Sequence, residues 1–147
     1  MQITQNLINI VNAEGLILGR MASNVAKLLL NGNKVIILNA EKVIISGKKR
    51  SKVAVAKKFL EVGSPKRGPF HYRRPDKILR KTVRGMLPIR QPKGKLAYKR
   101  LKVFLGIPKE FEEKQTITLK DAKASKLTCS YFTLGELAKE IGWNAGR

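Results

Sequence analysis

The chain has 147 residues, a formal net charge of +21, 43% apolar residues and one cysteine, Cys129. That apolar fraction is ordinary for a globular protein and excludes wholesale disorder, while a lone cysteine excludes an intrachain disulfide and favours a reducing compartment. No run approaches the roughly 18 apolar residues of a spanning helix, and the opening "MQITQNLINIVNAEG" lacks the basic start of a secretory leader, so a soluble protein in the cytoplasm is expected.

In chain order, "LINIV" (7–11) is a short β-branched run closed by the turn "NAEG", which predicts a buried strand. Leu18, Met21, Ala22, Val25, Ala26, Leu28 and Leu29 then recur at helical spacing, with Gly32 as C-cap. "KVIILNA" (34–40) is continuously apolar, as in parallel strands buried on both faces, and "KVIIS" (42–46) predicts a third strand or an extension of the second. Val53, Ala56, Phe59 and Leu60 mark one face of a basic helix, and after it "GSPKRGPFHYRRP" (63–75) has three prolines and two glycines and predicts no regular element. In water alone that stretch is expected to be mobile.

A helix is predicted from Pro75, with Asp76 in its first turn and Ile78, Leu79, Val83, Met86 and Leu87 in one stripe until Pro88. "RQPKG" then reads as a turn, "KLAYKR" as two helical turns, and "LKVFLG" (101–106) as the strand completing the sheet. Residues 109–126 are mixed in charge and predict an irregular excursion with a short strand. Thr133 and Glu136 sit at capping-box spacing before Leu134, Leu137, Ala138 and Ile141, a terminal helix that packs back. The expected molecule is one α/β domain over 1–147, since about 150 residues bury roughly 70% of their unfolded surface.

The charge is not spread evenly. Residues 48–102 carry 20 Lys/Arg against only Glu61 and Asp76, a net of +18, while the flanks are nearly neutral. Lysines on a solvent-facing helix normally alternate with glutamates, and these do not, so the missing partner is an external polyanion.

Other chemistries lack their residues. "AEGLILG" and "SGKKRS" do not complete a glycine-rich dinucleotide loop or a P-loop. One His and one Cys cannot make a structural zinc set, and no spaced carboxylate pair suits acid/base catalysis, so neither metal, cofactor, small-molecule substrate nor enzyme activity is expected. Phe70, His71, Tyr72 and Tyr98 are interleaved with the cations, and such planes stack on the unpaired bases of folded RNA. Packing is an equal reading for Tyr98, which lies beside Leu101. The candidate RNA-binding set is Lys48, Lys49, Arg50, Lys66, Arg67, His71, Tyr72, Arg73, Arg74, Lys77, Arg80, Lys81, Arg84, Arg90, Lys93, Lys95, Lys99 and Arg100. A chromatin-type DNA binder and a free RNA-binding translational regulator share the same charge and stay open at this point.

"IVNAEGLILGRMASNVAKLL" (10–29), "VIILNAEKVIISGKK" (35–49), "YRRPDKILRKTVRGMLP" (72–88), "GKLAYKRLKVFLGIP" (94–108) and "FTLGELAKEIGW" (132–143) together resemble the large-subunit ribosomal protein L13 family, in its archaeal form. The resemblance implies a three-layer α/β/α sandwich with a four-stranded, mainly parallel sheet. It implies binding to large-subunit ribosomal RNA beside neighbouring ribosomal proteins, and a part in early subunit assembly. It also adds Gly85, next to Arg84 in "RGMLP", as an RNA-facing position where bare backbone admits close approach.

Overall fold

The computed structural model describes residues 8–145. Leu7, the first residue of the expected opening strand, and the start of the stretch that bears on a leader lie outside them. Strand β1 (Ile8–Asn12) is followed by helix α1 (Leu18–Leu30), strand β2 (Lys34–Leu38), strand β3 (Ile44–Ser46) and helix α2 (Lys49–Glu61). Helices α3 (Pro75–Gly85) and α4 (Pro92–Lys99) come next, then strands β4 (Leu101–Val103) and β5 (Tyr131–Thr133) and helix α5 (Leu134–Glu140).

β1, β2 and β4 form a parallel sheet in the order β1-β2-β4, with Val11 opposite Ile37 and Ile37 opposite Val103. Side chains alternate across it, so β1 and β2 each serve two clusters. Val11, Val35, Ile37 and Leu101 join Met21, Val25 and Leu29 of α1, Leu79 and Val83 of α3, Ala97 of α4 and Leu134 of α5 in the main core. Ile10, Ile36 and Leu38 point the other way, onto Phe104 and Phe111.

Two features of the expected sandwich differ. The second face is sealed by Phe104 and by Phe111 of a 3-10 turn, Lys109–Phe111, whose ring centroids lie 5.7 Å apart, and among the described residues no α-helix joins that cluster. The main sheet has three strands among the described residues, because β3 leaves it and pairs antiparallel with β5, Ile45 opposite Phe132. The cause is local. Asn39 takes a left-handed backbone (φ 56°) at the end of β2 and a 3-10 turn, Ala40–Lys42, follows. The Asn39 and Ala40 N–H groups donate to the Gly106 and Phe104 carbonyls, which pins the chain across the end of the sheet and turns it away. The buried Asn39 amide donates to Asn12 Oδ1 at 3.0 Å, so the polar side chain is satisfied. On the free side of β1 the short strand expected in the excursion shrinks to one parallel bridge, Val11 with Ile117.

α1 matches its predicted stripe, and its C-terminal carbonyls accept from the N–H groups of Asn31, Gly32 and Asn33, with Gly32 at φ +96°. α3 begins on the buried Pro75 and stops at Gly85, two residues before the predicted end. Leu87 stays buried through the following turn, but Met86 is exposed, contrary to the expected stripe. α4 begins at Pro92, inside the predicted turn, because Gly94 lets its first turn close on the Pro88 carbonyl, which a methyl group there would overlap. In α2 only Val53 is buried, and Phe59, predicted on the inner face, is exposed.

Candidate nucleic-acid interface

The basic residues are set out on three supports. α3 supplies the most regular one. Lys77, Arg80, Lys81 and Arg84 fall at i, i+3, i+4 and i+7 opposite Leu79 and Val83, so burying the apolar pair aims all four cations at solvent. Gly85 ends the helix on the same exposed side, and an alanine methyl there would meet nothing within 4 Å. Lys81, Arg84, Gly85, Pro88, Arg90 and Gln91 line one open groove beside the turn.

α4 adds exposed Lys93, Lys95 and Lys99. Tyr98 ties the two helices together: it is half-buried against the main core, and the Arg80 guanidinium lies 4.8 Å from its ring centroid. Packing therefore describes Tyr98 better than an open stacking platform, and the ring orients a cation of α3 through its π face. Arg100 is half-buried and donates from Nη1 to the Leu29 carbonyl at 3.3 Å, closing the end of α1.

The third support is the segment between α2 and α3. As predicted it holds no helix or strand of its own, yet it is a shaped loop. Ser64 and Gly68 exchange backbone hydrogen bonds (2.8 and 3.2 Å), which puts exposed Lys66 and Arg67 at the tip. Gly63, at φ +109°, permits this closure, since a side chain there would strike the Gly68 carbonyl. Farther on, His71 stacks on Phe59 with centroids 5.5 Å apart, and its Nδ1 lies 3.4 Å from Lys81 Nζ. Tyr72 is exposed with Lys77 5.8 Å from its ring centroid, and Phe70 is exposed at 69%.

Carboxylates divide the set. Arg74 is clamped by Asp76 through two bonds of 3.1 and 3.2 Å, and Lys49 lies 3.5 and 3.3 Å from Glu136 and Glu140 of α5. Lys48, Arg50 and Arg73 are exposed without a carboxylate among the described residues, as are the cations of α3 and α4. Three residues outside the sequence-derived set shape the surface: Phe59 under His71, Asp76 on Arg74 and Gly94 beneath the α3–α4 turn. Only Asp76 carried a local signal, its two-residue distance from Arg74.

Among the described residues no group of His, Cys, Asp and Glu could hold a metal ion, and no helix is long and apolar enough to cross a membrane. The surface is thus a cationic one with ordered aromatic and guanidinium planes, chemistry that suits phosphate oxygens and bases.

The family model for ribosomal protein L13 matches residues 6–110. A protein of Saccharolobus solfataricus named large ribosomal subunit protein uL13 is 45% identical over 144 residues, covering 95% of this chain and 96% of its own. Proteins of the same name from Methanosarcina barkeri and Methanococcoides burtonii are 45% and 42% identical, each covering 90% of this chain and 96% of their own. On the matched span and these relatives together, the chain belongs to the ribosomal protein L13 family, in its archaeal form.

Proposed function

We propose that this chain is a structural constituent of the large ribosomal subunit and not an enzyme, that it holds large-subunit rRNA through phosphate and shape contacts, and that it acts early in subunit assembly in the cytoplasm. Residues 1–147 are read as one ribosomal-protein domain. The observation that carries the reading is the stretch from Lys77 to Lys109, which has eleven Lys/Arg and no Asp or Glu. None of these cations has a carboxylate partner among the described residues. α3 and α4 hold most of them in fixed relative positions through a buried apolar face, so the counter-charge has to come from outside in a matching shape. A chromatin-type DNA binder would bind duplex DNA at least as well as structured RNA and leave ribosomal fractions, and a free regulator would lack stoichiometric presence in subunits.

Within the sequence-derived set, Lys66, Arg67, Arg73, Lys77, Arg80, Lys81, Arg84, Gly85, Arg90, Lys93, Lys95 and Lys99 are the proposed rRNA-facing residues. Lys48, Arg50, His71 and Tyr72 flank them. Lys49, Arg74 and Arg100 serve the fold first, through the contacts given above. The test is sedimentation of a native lysate through a sucrose gradient at moderately high salt, with the chain quantified by mass spectrometry in each fraction. One copy per large subunit is expected. Recovery in light or nucleoid fractions alone would overturn the ribosomal reading.

A further inference from the structure

α2 carries an apolar stripe on its outward side. Val55 and Phe59 of the helix and Val62, the residue that caps its C-terminal end, fall at i, i+4 and i+7 and are 50%, 54% and 57% exposed, with one side of the Phe59 ring against His71. At about 100° per residue this stripe lies opposite Val53, the one buried residue of the helix. The same rotation sets exposed Lys58 along one side of the stripe and exposed Lys52 along the other. Two aliphatic side chains and a phenylalanine aligned on a solvated face mark an interaction surface.

The helix's inner side shows which chemistry it accepts. α5 packs there, bringing Leu137 and Ile141 beside Ala56 and Leu60, and presenting Glu136 and Glu140 to Lys49. The outer stripe repeats this pattern of an apolar strip edged by lysines, with no second helix over it among the described residues. The Phe59 ring already stacks on His71, and valine offers neither a π face for a base nor a donor for phosphate, so RNA gains little from covering Val55 and Val62. A second copy of a chain with net charge +21 would bring like charge against Lys52 and Lys58.

We infer that the Val55–Phe59–Val62 face of α2 is a docking site for an amphipathic segment of another protein, with carboxylates flanking its apolar residues. The docked segment buries the stripe and pairs with Lys52 and Lys58, as α5 does with Lys49 on the other side.

The test places Val55→Cys in a Cys129→Ser background and isolates the full-length chain in the particle that holds it. Position 55 is half solvated, so the substitution leaves the core intact. A maleimide probe measures access to the thiol in the free chain and in the particle, and a benzophenone maleimide on the free thiol, followed by assembly and irradiation, identifies what covers it. The expected result is loss of labelling in the particle and one protein adduct, whose cross-linked peptide has Asp or Glu beside apolar residues. Adding Lys52→Glu with Lys58→Glu should restore labelling. Unchanged labelling in the particle, an adduct removed by nuclease, or protection that survives the charge reversal would each overturn the inference. The ribosomal reading enters only through the particle's identity: a chain absent from large subunits refutes that reading, while labelling in whichever particle contains it still decides the stripe.

Discussion

Replacing Gly85 by alanine separates what the fold requires from what a partner requires. Gly85 is not among the glycines with positive φ, so alanine can adopt its backbone conformation. An added methyl group would meet no atom of the chain within 4 Å. In the free protein the substitution therefore acts only through helix propensity, and removing a glycine from the end of α3 should stabilise by about 0.5 kcal/mol. For a chain of this size that raises Tm by roughly 2 °C. If rRNA closes on the bare backbone, the same methyl overpacks the contact at a cost of about 1–3 kcal/mol, or roughly a 5- to 150-fold loss of affinity. The assay mixes isotopically distinguished wild-type and Gly85→Ala chains in equal amounts during subunit assembly and measures their ratio in purified large subunits, with thermal unfolding of each alone. A more stable but excluded variant is expected. Parity in the subunits with an unchanged or raised Tm would refute the claim that RNA approaches Gly85. Gly94→Ala is the contrast, because its methyl would overlap the Pro88 carbonyl and should cost about 1–3 kcal/mol of stability before any RNA is present.

The remaining predictions address single contacts. Lys81→Glu with Arg84→Glu should leave stability within about 0.5 kcal/mol, since both side chains are exposed and neither pairs with a carboxylate. If both meet phosphate, the magnitude of the slope of log K against log salt should fall by roughly 1.5, measured by filter binding to large-subunit rRNA, and an unchanged slope would take α3 off the interface. Arg100→Ala should lose about 1 kcal/mol and lower Tm, because the half-buried guanidinium's hydrogen bond to the Leu29 carbonyl and its packing are lost while that carbonyl keeps the Gly32 N–H, whereas Lys95→Ala should not; equal Tm values for the two variants would contradict a structural role for Arg100. Thr133→Ala should cost about 1 kcal/mol in urea unfolding by removing the oxygen that caps the Glu136 N–H of α5, and Thr133→Ser should restore most of it.

Where local pattern decides structure, the sequence was readable. The stripe of α1, Pro75 at the head of α3, the continuous apolar run of β2 and Thr133 as an N-cap all depend on neighbours within a turn or two, and the structure has them. The departures came from distant partners. "KVIIS" has the composition of a strand in any sheet, and its pairing with β5 rather than β1 or β2 follows from the backbone of Asn39 and from carbonyls more than sixty residues away. Phe59 was assigned to the core because its spacing from Ala56 and Leu60 suits an inner face, but Val53 is the one buried residue of α2 and the Phe59 ring stacks on His71 of the following loop while staying half-exposed. The second face of the sheet was expected to take a helix because β2 is apolar on both sides. Phe104 just after β4 and Phe111 of a 3-10 turn suffice there, and periodicity cannot distinguish the covers.

The same reasoning explains why the cations could be found by counting but not sorted by it. All the candidate Lys and Arg lie in one basic stretch, and nothing in that stretch separates Lys49 from Lys48, or Arg100 from Lys99. What separates them is whether the fold delivers an acceptor. α5, nearly ninety residues downstream, sets two carboxylates against Lys49, and the end of α1 offers Arg100 a carbonyl. Between Lys77 and Lys109 the chain places no acid at all, so no rearrangement within that stretch could neutralise it. An ion pair made within the protein would have to be broken before a polyanion could use its cation, at a cost of up to about 1 kcal/mol for pairs as solvated as these, whereas an unpaired exposed cation has only bound water and counterions to release. The acid-free α3–α4 surface is therefore where binding to a polyanion gains most, and the carboxylates of α5 and Asp76 mark its edge.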